Sequence, residues 1–194
     1  MIIKNPITGI ILSGGKSSRM GSDKALLKLN NSTFVETIIT TIQPFVDELI
    51  IISDNPEHDK FNIRREEDFI KDSGPLAGLL TGLNHAKHEN ILALSCDIPL
   101  ISEKVIETLI NQADDDYEVN QIESDGKTMP LIALYKKSCR YPIFRFLQND
   151  ERRLRVAVNS FKVKTIKLNS KDKNLVENIN TKQQFEAIGN ATKN

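Results

Sequence analysis

Short apolar, β-branched runs alternate with amphipathic stretches along the first half of the chain. This alternation restricts what the chain can fold into more than any other feature. Ile7–Leu12 (ITGIIL) reads as a buried strand ending at Gly14-Gly15. The stretch 33–41 reads as a helix: Thr33 and Glu36 stand at capping-box spacing, apolar residues recur at 34, 35, 38, 39 and 42, and Pro44 marks the stop. A second buried strand follows at 48–53 (ELIIIS), then a helix at 76–86 opened by Gly74-Pro75, a third strand at 91–95 (ILALS) and a helix at 102–112 with Ser102 as its cap. Strand–helix alternation of this kind is the mark of βαβ units around a mostly parallel sheet. The remainder departs from simple alternation. Strands are expected at 117–122 and 130–135 about a Ser124-Asp125-Gly126 turn, helices at 138–148 and 152–160, a strand at 163–168 and a last helix at 181–188. The expected architecture is α/β: a Rossmann-like three-layer sandwich with a mostly parallel mixed sheet. In such sheets ligands bind beyond the carboxyl ends of the strands, which selects the loops after Leu12, Ile52 and Ser95.

At 194 residues the chain is expected to form one domain, 1–194, with one half at about 1–112 and a second at about 113–190. Lys+Arg and Asp+Glu both total 26, a balance that argues against a general nucleic-acid or membrane-surface binder. The two cysteines, Cys96 and Cys139, lie far apart with no Cys/His cluster around them, so neither a disulfide framework nor a zinc site is expected. No apolar run approaches the ~18 residues of a membrane span. The opening residues MIIKNPITGIIL lack the basic start and cleavage site of a signal peptide. A cytoplasmic location is expected, and the Asn-x-Thr triplets at Asn31 and Asn190 then carry no glycosylation meaning.

The segment from Leu12 to Lys24 holds three glycines and three cations in thirteen residues directly after the first strand. Glycines let backbone N–H groups approach an anion, and cations neutralise it. A solvated turn-rich loop is the plainer reading of such a composition. Its position at a strand end favours phosphate binding. The dinucleotide fingerprint G-x-G-x-x-G does not fit, because Gly14 and Gly15 are adjacent. The P-loop pattern is met at its end by Gly15-Lys16-Ser17, but its first glycine falls at Ile10, with Gly9 one residue too early. A longer pattern, L-x-G-G-x-x-S-R-M-G-x-x-K, is complete in Leu12, Gly14, Gly15, Ser18, Arg19, Met20, Gly21 and Lys24. It resembles the opening signature of the molybdenum cofactor guanylyltransferase (MobA) family.

Further segments extend the resemblance over about residues 6–190. Cys96-Asp97-Ile98-Pro99 matches the family's C-D-x-P, whose Asp binds metal. A lone Asp after a strand is more often a turn former. Gly74-Pro75-Leu76-Ala77-Gly78 matches a segment lining the base pocket, and equally reads as a helix start with Pro near its first position. Asp68 is the counterpart of a family carboxylate that contacts nucleotide. Ser53 stands where relatives often have Asn. Pro130-Leu131-Ile132-Ala133-Leu134-Tyr135 matches a family strand. Glu151-Arg152-Arg153 and Asn178-Ile179-Asn180-Thr181 resemble acceptor-side segments, with Lys182 in place of the family's Pro. Taken alone, the latter two read as surface charges and a helix cap.

The resemblance implies the nucleotide-diphospho-sugar transferase type of fold. It also implies a reaction in which the terminal phosphate of molybdenum-molybdopterin attacks the α-phosphorus of GTP, giving the guanine dinucleotide and pyrophosphate. It implies Arg19, Lys24 and Asp97 as catalytic residues, and Mg²⁺ on Asp97. It implies nucleotide contacts from Leu12, Ser13, Gly14, Gly15, Lys24, Ser53, Asp68, Gly74, Pro75, Leu76, Ala77, Gly78 and Asp97, with the N–H groups of Ser13 to Gly15 close to the nucleotide. The acceptor would meet Arg152, Arg153, Asn178 and Asn180, a guanidinium fork suiting a phosphate. GTP and a molybdopterin acceptor are the implied partners, with molybdoenzyme chaperones or other cofactor-biosynthesis proteins beyond them. The double glycine after Leu12-Ser13 goes with guanine in the family. The competing readings are a cytidylyl- or sugar-phosphate nucleotidyltransferase, a non-catalytic molybdopterin- or nucleotide-binding carrier, and a P-loop hydrolase. His85 and His88 are expected as surface residues, Asp114-Asp115-Asp116 as a solvated loop, Cys96 as a small core residue, Phe144, Phe146 and Leu147 as core, and 190–194 as a frayed tail.

Overall fold

The computed structural model describes residues 5–14, 23–71 and 73–191. Strands β1 (Ile7–Leu12), β4 (Glu48–Ile52), β5 (Arg64–Glu66), β6 (Asn90–Ser95), β7 (Val119–Ser124), β8 (Lys127–Lys136) and β9 (Val163–Lys167) form one seven-stranded sheet in the order β5-β4-β1-β6-β8-β7-β9. A small antiparallel pair, β2 (Lys28–Leu29) and β3 (Ser32–Thr33), leads into the first helix. β1 pairs in parallel with both β4 and β6, and β4 with β5. Only β8 runs against its neighbours β6 and β7, while β9 returns parallel to β7. The mostly parallel mixed sheet read from the sequence is the sheet observed.

The helices are α1 (Phe34–Ile42), α2 (Gly74–His85), α3 (Glu103–Gln112), α4 (Arg140–Gln148), α5 (Leu154–Val158) and α6 (Lys182–Ala191). Two apolar clusters sandwich the sheet. On one face Ile7, Ile11 and Ile51 pack against Val35 and Ile38 of α1 and Val105, Ile106 and Leu109 of α3. On the other face Ile10, Leu12 and Ile50 pack against Leu76, Leu79 and Leu83 of α2, Ile143 of α4 and Ala157 of α5. Alternate residues of β1 thus serve opposite faces, which is why its sequence is an unbroken apolar run. Gly82 lets α2 lie on β1, since a Cβ there would stand 2.5 Å from Ile10 Cδ1. No helix among the described residues is long and apolar enough to cross a membrane.

Local chemistry explains where elements begin and end. Thr33 and Glu36 make the expected capping box: Thr33 N–H donates to Glu36 Oε2 (2.7 Å) and Glu36 N–H donates to Thr33 Oγ1 (3.2 Å). Ser102 stands at the N-cap of α3, but its side chain makes no capping bond and its Oγ is buried without a partner; its carbonyl takes the N–H groups of Val105 and Ile106 instead. The β7–β8 hairpin is longer than the sequence implies, because Asp125 (φ 49°) and Gly126 (φ 74°) make a tight two-residue reversal. β8 then bulges where its register against β7 jumps from Met129 to Ala133, and Pro130, which has no N–H to give, lies in that interval. Tyr135 Oη donates to the Pro130 carbonyl (2.7 Å), closing the bulge. The expected helix at 152–160 is shorter. Asp150 takes a left-handed turn (φ 57°) and Glu151 Oε1 accepts the Arg153 N–H (2.9 Å), so Arg152 and Arg153 precede α5. Phe146 and Leu147 pack partly into the core, whereas Phe144, expected there, is 47% exposed on the outer side of α4.

Candidate active site

The sheet's hydrogen bonding continues one residue past three strand ends. Ser13 N–H donates to the Ile52 carbonyl (2.9 Å), Ser53 N–H to Glu66 (2.9 Å) and Cys96 N–H to Leu12 (3.0 Å). The loops after β1, β4 and β6 therefore leave at one level. The chain passes from β1 toward β4 on one side and from β6 toward β8 on the other, which opens a crevice between β1 and β6. One expectation is corrected here: the Ser13 N–H is spent on the sheet and is not free for a nucleotide. Gly15 and Arg19 lie outside the described residues, as does most of the first glycine-rich loop.

A cleft of about 470 Å³ occupies the crevice, within the roughly 300–1,000 Å³ of small-molecule sites. Of the residues expected to bind nucleotide, it is lined by Leu12, Ser13, Gly14, Ser53, Asp68, Gly74, Pro75 and Gly78. Leu76 and Ala77 are buried and do not line it; the turn of α2 aims Leu76 into the sheet. The Ser53 hydroxyl accepts the Asn55 N–H (3.0 Å), so it shapes the β4 loop as well as lining the cleft. Leu131, from the segment that matches a family strand, also lines it, as do Asp23, Asp54, Asn55, Ser73 and Ser95, none of them named as a site residue from the sequence.

Asp68 sits between two glycines. Its Oδ2 is 3.7 Å from where a Cβ on Gly14 would lie, and its Oδ1 3.4 Å from where one on Gly78 would lie. Side chains at these positions would come into van der Waals contact with the carboxylate and narrow the cleft. Asp68 Oδ1 is buried with no hydrogen-bond partner. Burial first, and the charge of Asp54 second, push this carboxyl up to about 6 against the opposing hydrogen bond of Thr81. The Phe69 N–H donates to Thr81 Oγ1 (3.2 Å), fastening the turn that carries Asp68 onto α2.

Asp97 and Lys24 meet the distant segment 178–180. Asn178 Nδ2 donates to Asp97 Oδ2 (3.1 Å), and Ile179 N–H to the Asp97 carbonyl (2.8 Å). Lys24 Nζ donates to Asn180 Oδ1 (2.6 Å). The two asparagines read as acceptor-side residues thus stand on the residues read as catalytic. Asp97 Oδ1 is buried and has no partner. Among the described residues no group of three or more His, Cys, Asp or Glu could cage a metal. A single carboxylate with a free buried oxygen suits a hard cation completed by phosphate oxygens and water, which is how Mg²⁺ is usually held. Cys96 beside it is inert: burial first, then the Asp97 charge, push its thiol up to about 12.

A second basin of about 680 Å³ joins the cleft at Ser95 and Leu131. Its floor is apolar (Ile98, Met129, Ile132, Leu154, Val176), and its rim carries Arg153, Arg155, Lys127, Lys173 and Asn178. Arg153 pairs with Glu151, whose carboxyl it holds down to about 2. Arg152 lines neither cavity; it is exposed and faces Asp150 Oδ1 at 3.3 Å. Arg155, Lys127 and Lys173 gave no sequence signal beyond ordinary surface charge.

Residues 9–163 match the MobA-like NTP transferase domain. A protein of Flavobacterium johnsoniae named "probable molybdenum cofactor guanylyltransferase" is 38% identical over 145 residues, 75% of this chain and 76% of that one. One of the same name from Clostridium perfringens is 36% identical over 187 residues, 92% of this chain and 93% of that one. Among solved structures, molybdopterin-guanine dinucleotide biosynthesis protein A of Archaeoglobus fulgidus shares the fold, with a TM-score of 0.81 over 96% of this chain and 98% of that chain at 19% identity.

Proposed function

The chain belongs to the MobA-like NTP transferase family, and from that premise we propose that it transfers GMP from GTP to a molybdopterin acceptor with release of pyrophosphate. A nucleotidyltransferase role in molybdenum cofactor biosynthesis follows from the family and its relatives' names. Guanine as the base is our own reading, and the partnerless oxygen of Asp68 carries it. A guanine presents N1–H and N2–H₂ side by side, two donors that one carboxylate accepts together. Cytosine offers one donor group beside two acceptors and would set those acceptors against the same charge.

In this reading an oxygen of the acceptor's terminal phosphate forms a bond to the α-phosphorus of GTP. The bond from that phosphorus to the bridging oxygen of the leaving group breaks, and pyrophosphate departs. The attacking phosphate is already ionised at neutral pH, so no strong base is required. The barrier lies in bringing anions together, and cations and positioning lower it. Lys24 and Arg19 would neutralise the triphosphate, whose burial without counter-charge is prohibitive. Asp97 would hold Mg²⁺, which when bound supplies charge compensation along the phosphates. Asn178 fixes the Asp97 carboxylate, and the neighbouring basin receives the acceptor, with Arg153 on its rim.

A nucleotide panel tests the base. With Mg²⁺ present, GTP is expected to raise the melting temperature well above the shifts given by CTP, UTP and ATP. A shift with CTP or UTP and none with GTP would replace this reading with that of a cytidylyl- or sugar-phosphate nucleotidyltransferase.

A further inference from the structure

We infer that His58, acting through Asp23, is a positioning residue for Lys24; the inference rests on the reading of Lys24 as the triphosphate lysine. Asp23 caps the single 3-10 turn Lys24–Leu26, its Oδ1 accepting the Ala25 N–H (3.0 Å) and its carbonyl the Leu26 N–H (3.2 Å). The other oxygen, Oδ2, accepts from Asn55 Nδ2 (2.7 Å) and lies 3.1 Å from His58 Nε2. Asn55 and His58 belong to the turn that follows β4, more than thirty residues along the chain. Asn55 Oδ1 caps that turn at the Glu57 N–H (3.0 Å). The latch therefore ties the loop after β4 to the segment that presents Lys24. The lysine's far end is held separately, by Asn180.

His58 is fully buried and packs near the Phe61 ring (5.8 Å between centroids). An apolar side chain would fill that space at lower desolvation cost. What the imidazole adds is a nitrogen against the carboxylate. Burial opposes ionisation of Asp23, yet the contacts of His58, Asn55 and the Ala25 N–H together hold its carboxyl below the usual range. Asp23 also lines the cleft. A carboxylate released there would repel a triphosphate of about four negative charges and compete with it for the ammonium of Lys24. With both oxygens engaged, Asp23 keeps its charge but is held to the turn it caps.

The test is a double-mutant cycle on the full chain, reading kcat and KM for GTP alongside melting temperature. His58→Leu is expected to remain folded and to lower kcat/KM for GTP about 10- to 100-fold, with the acceptor KM unchanged. His58→Gln, whose amide nitrogen can reach the place of Nε2, is expected to recover to within about threefold of the wild type. Placed on Lys24→Ala, His58→Leu is expected to cost less than about twofold more. Asn55→Ala carries the same cycle if the leucine variant does not fold. Losses that multiply across the cycle, or a normal His58→Leu enzyme, would overturn the role of His58 while leaving Lys24 assigned. A Lys24→Ala enzyme with unchanged kcat/KM would remove the Lys24 reading itself, and the inference with it.

Discussion

Asp97→Asn is expected to lower turnover by about a thousandfold and to abolish the response to Mg²⁺, with the melting temperature changed by no more than a few degrees. The substitution keeps the shape of the side chain and an oxygen for the Asn178 amide, so the contact that orients position 97 survives. What it removes is the charge on the oxygen that has no protein partner. Loss of one preorganised group at a developing charge costs about 10²–10³ in rate, and loss of a bound metal's charge compensation costs several kcal/mol. Asp97→Ala should be at least as inactive, and in addition leaves the Asn178 amide unpaired. Pyrophosphate release measured across a Mg²⁺ titration checks the prediction. Near-normal activity in the asparagine variant would show that the ion is held elsewhere.

Asp68→Asn is expected to move stability and binding in opposite directions. The folded carboxyl titrates at about 6, above its ordinary 3.8, because burial penalises the charged form. Above pH 6 the free protein therefore carries the full cost of an ionised, poorly solvated carboxylate, and that cost fades as pH falls from 6 toward the ordinary 3.8. After allowance for its partial exposure the cost is of order 1 kcal/mol. At pH 7.5 the asparagine variant should then melt about 2–4 °C higher than the wild type, with the difference about halved at pH 5 and closing only below about pH 4. The same change replaces a charged acceptor by an amide and should weaken GTP about 10- to 100-fold. Wild-type affinity for GTP should itself fall between pH 7 and 5, as protonation removes an acceptor, and the variant should lack that dependence. Thermal melts and GTP titrations at the two pH values check both halves. A variant that melts lower at pH 7.5 and binds GTP as before would place Asp68 among packing residues.

The parts of this molecule that could be read in the sequence are those whose cause is local. β1, β4 and β6 announce themselves because strands covered on both faces need unbroken apolar runs. The start of α1 follows from two residues three apart that satisfy each other's backbone groups. Asp97 is legible as the polar residue into which an apolar strand runs. β5, by contrast, is an Arg-Arg-Glu edge strand with no periodicity; it exists because β4 offers it an unpaired edge. The hairpin's extent depends on where the β8 bulge falls, and its register is set by β6 as much as by β7. In the site, Asn178 and Asn180 reach Asp97 and Lys24 across 81 and 156 residues, a closeness created by the return of the chain after β9. The latch of His58 on Asp23 is of the same kind. Leu76 and Ala77 show the reverse: they stand inside a cleft-lining motif, but a helix turns successive side chains by about 100°, and both are buried, Leu76 against the sheet.

Product analysis of one reaction tests most directly whether a nucleoside triphosphate and an acceptor meet between β1 and β6. The purified protein would be incubated with GTP and Mg²⁺, with and without molybdopterin, and pyrophosphate, inorganic phosphate and guanine dinucleotide measured together. Pyrophosphate and the dinucleotide appearing in equal amounts, and only when acceptor is present, is the predicted result. Inorganic phosphate released from GTP without acceptor, or GTP bound and left intact in the presence of acceptor, would contradict it.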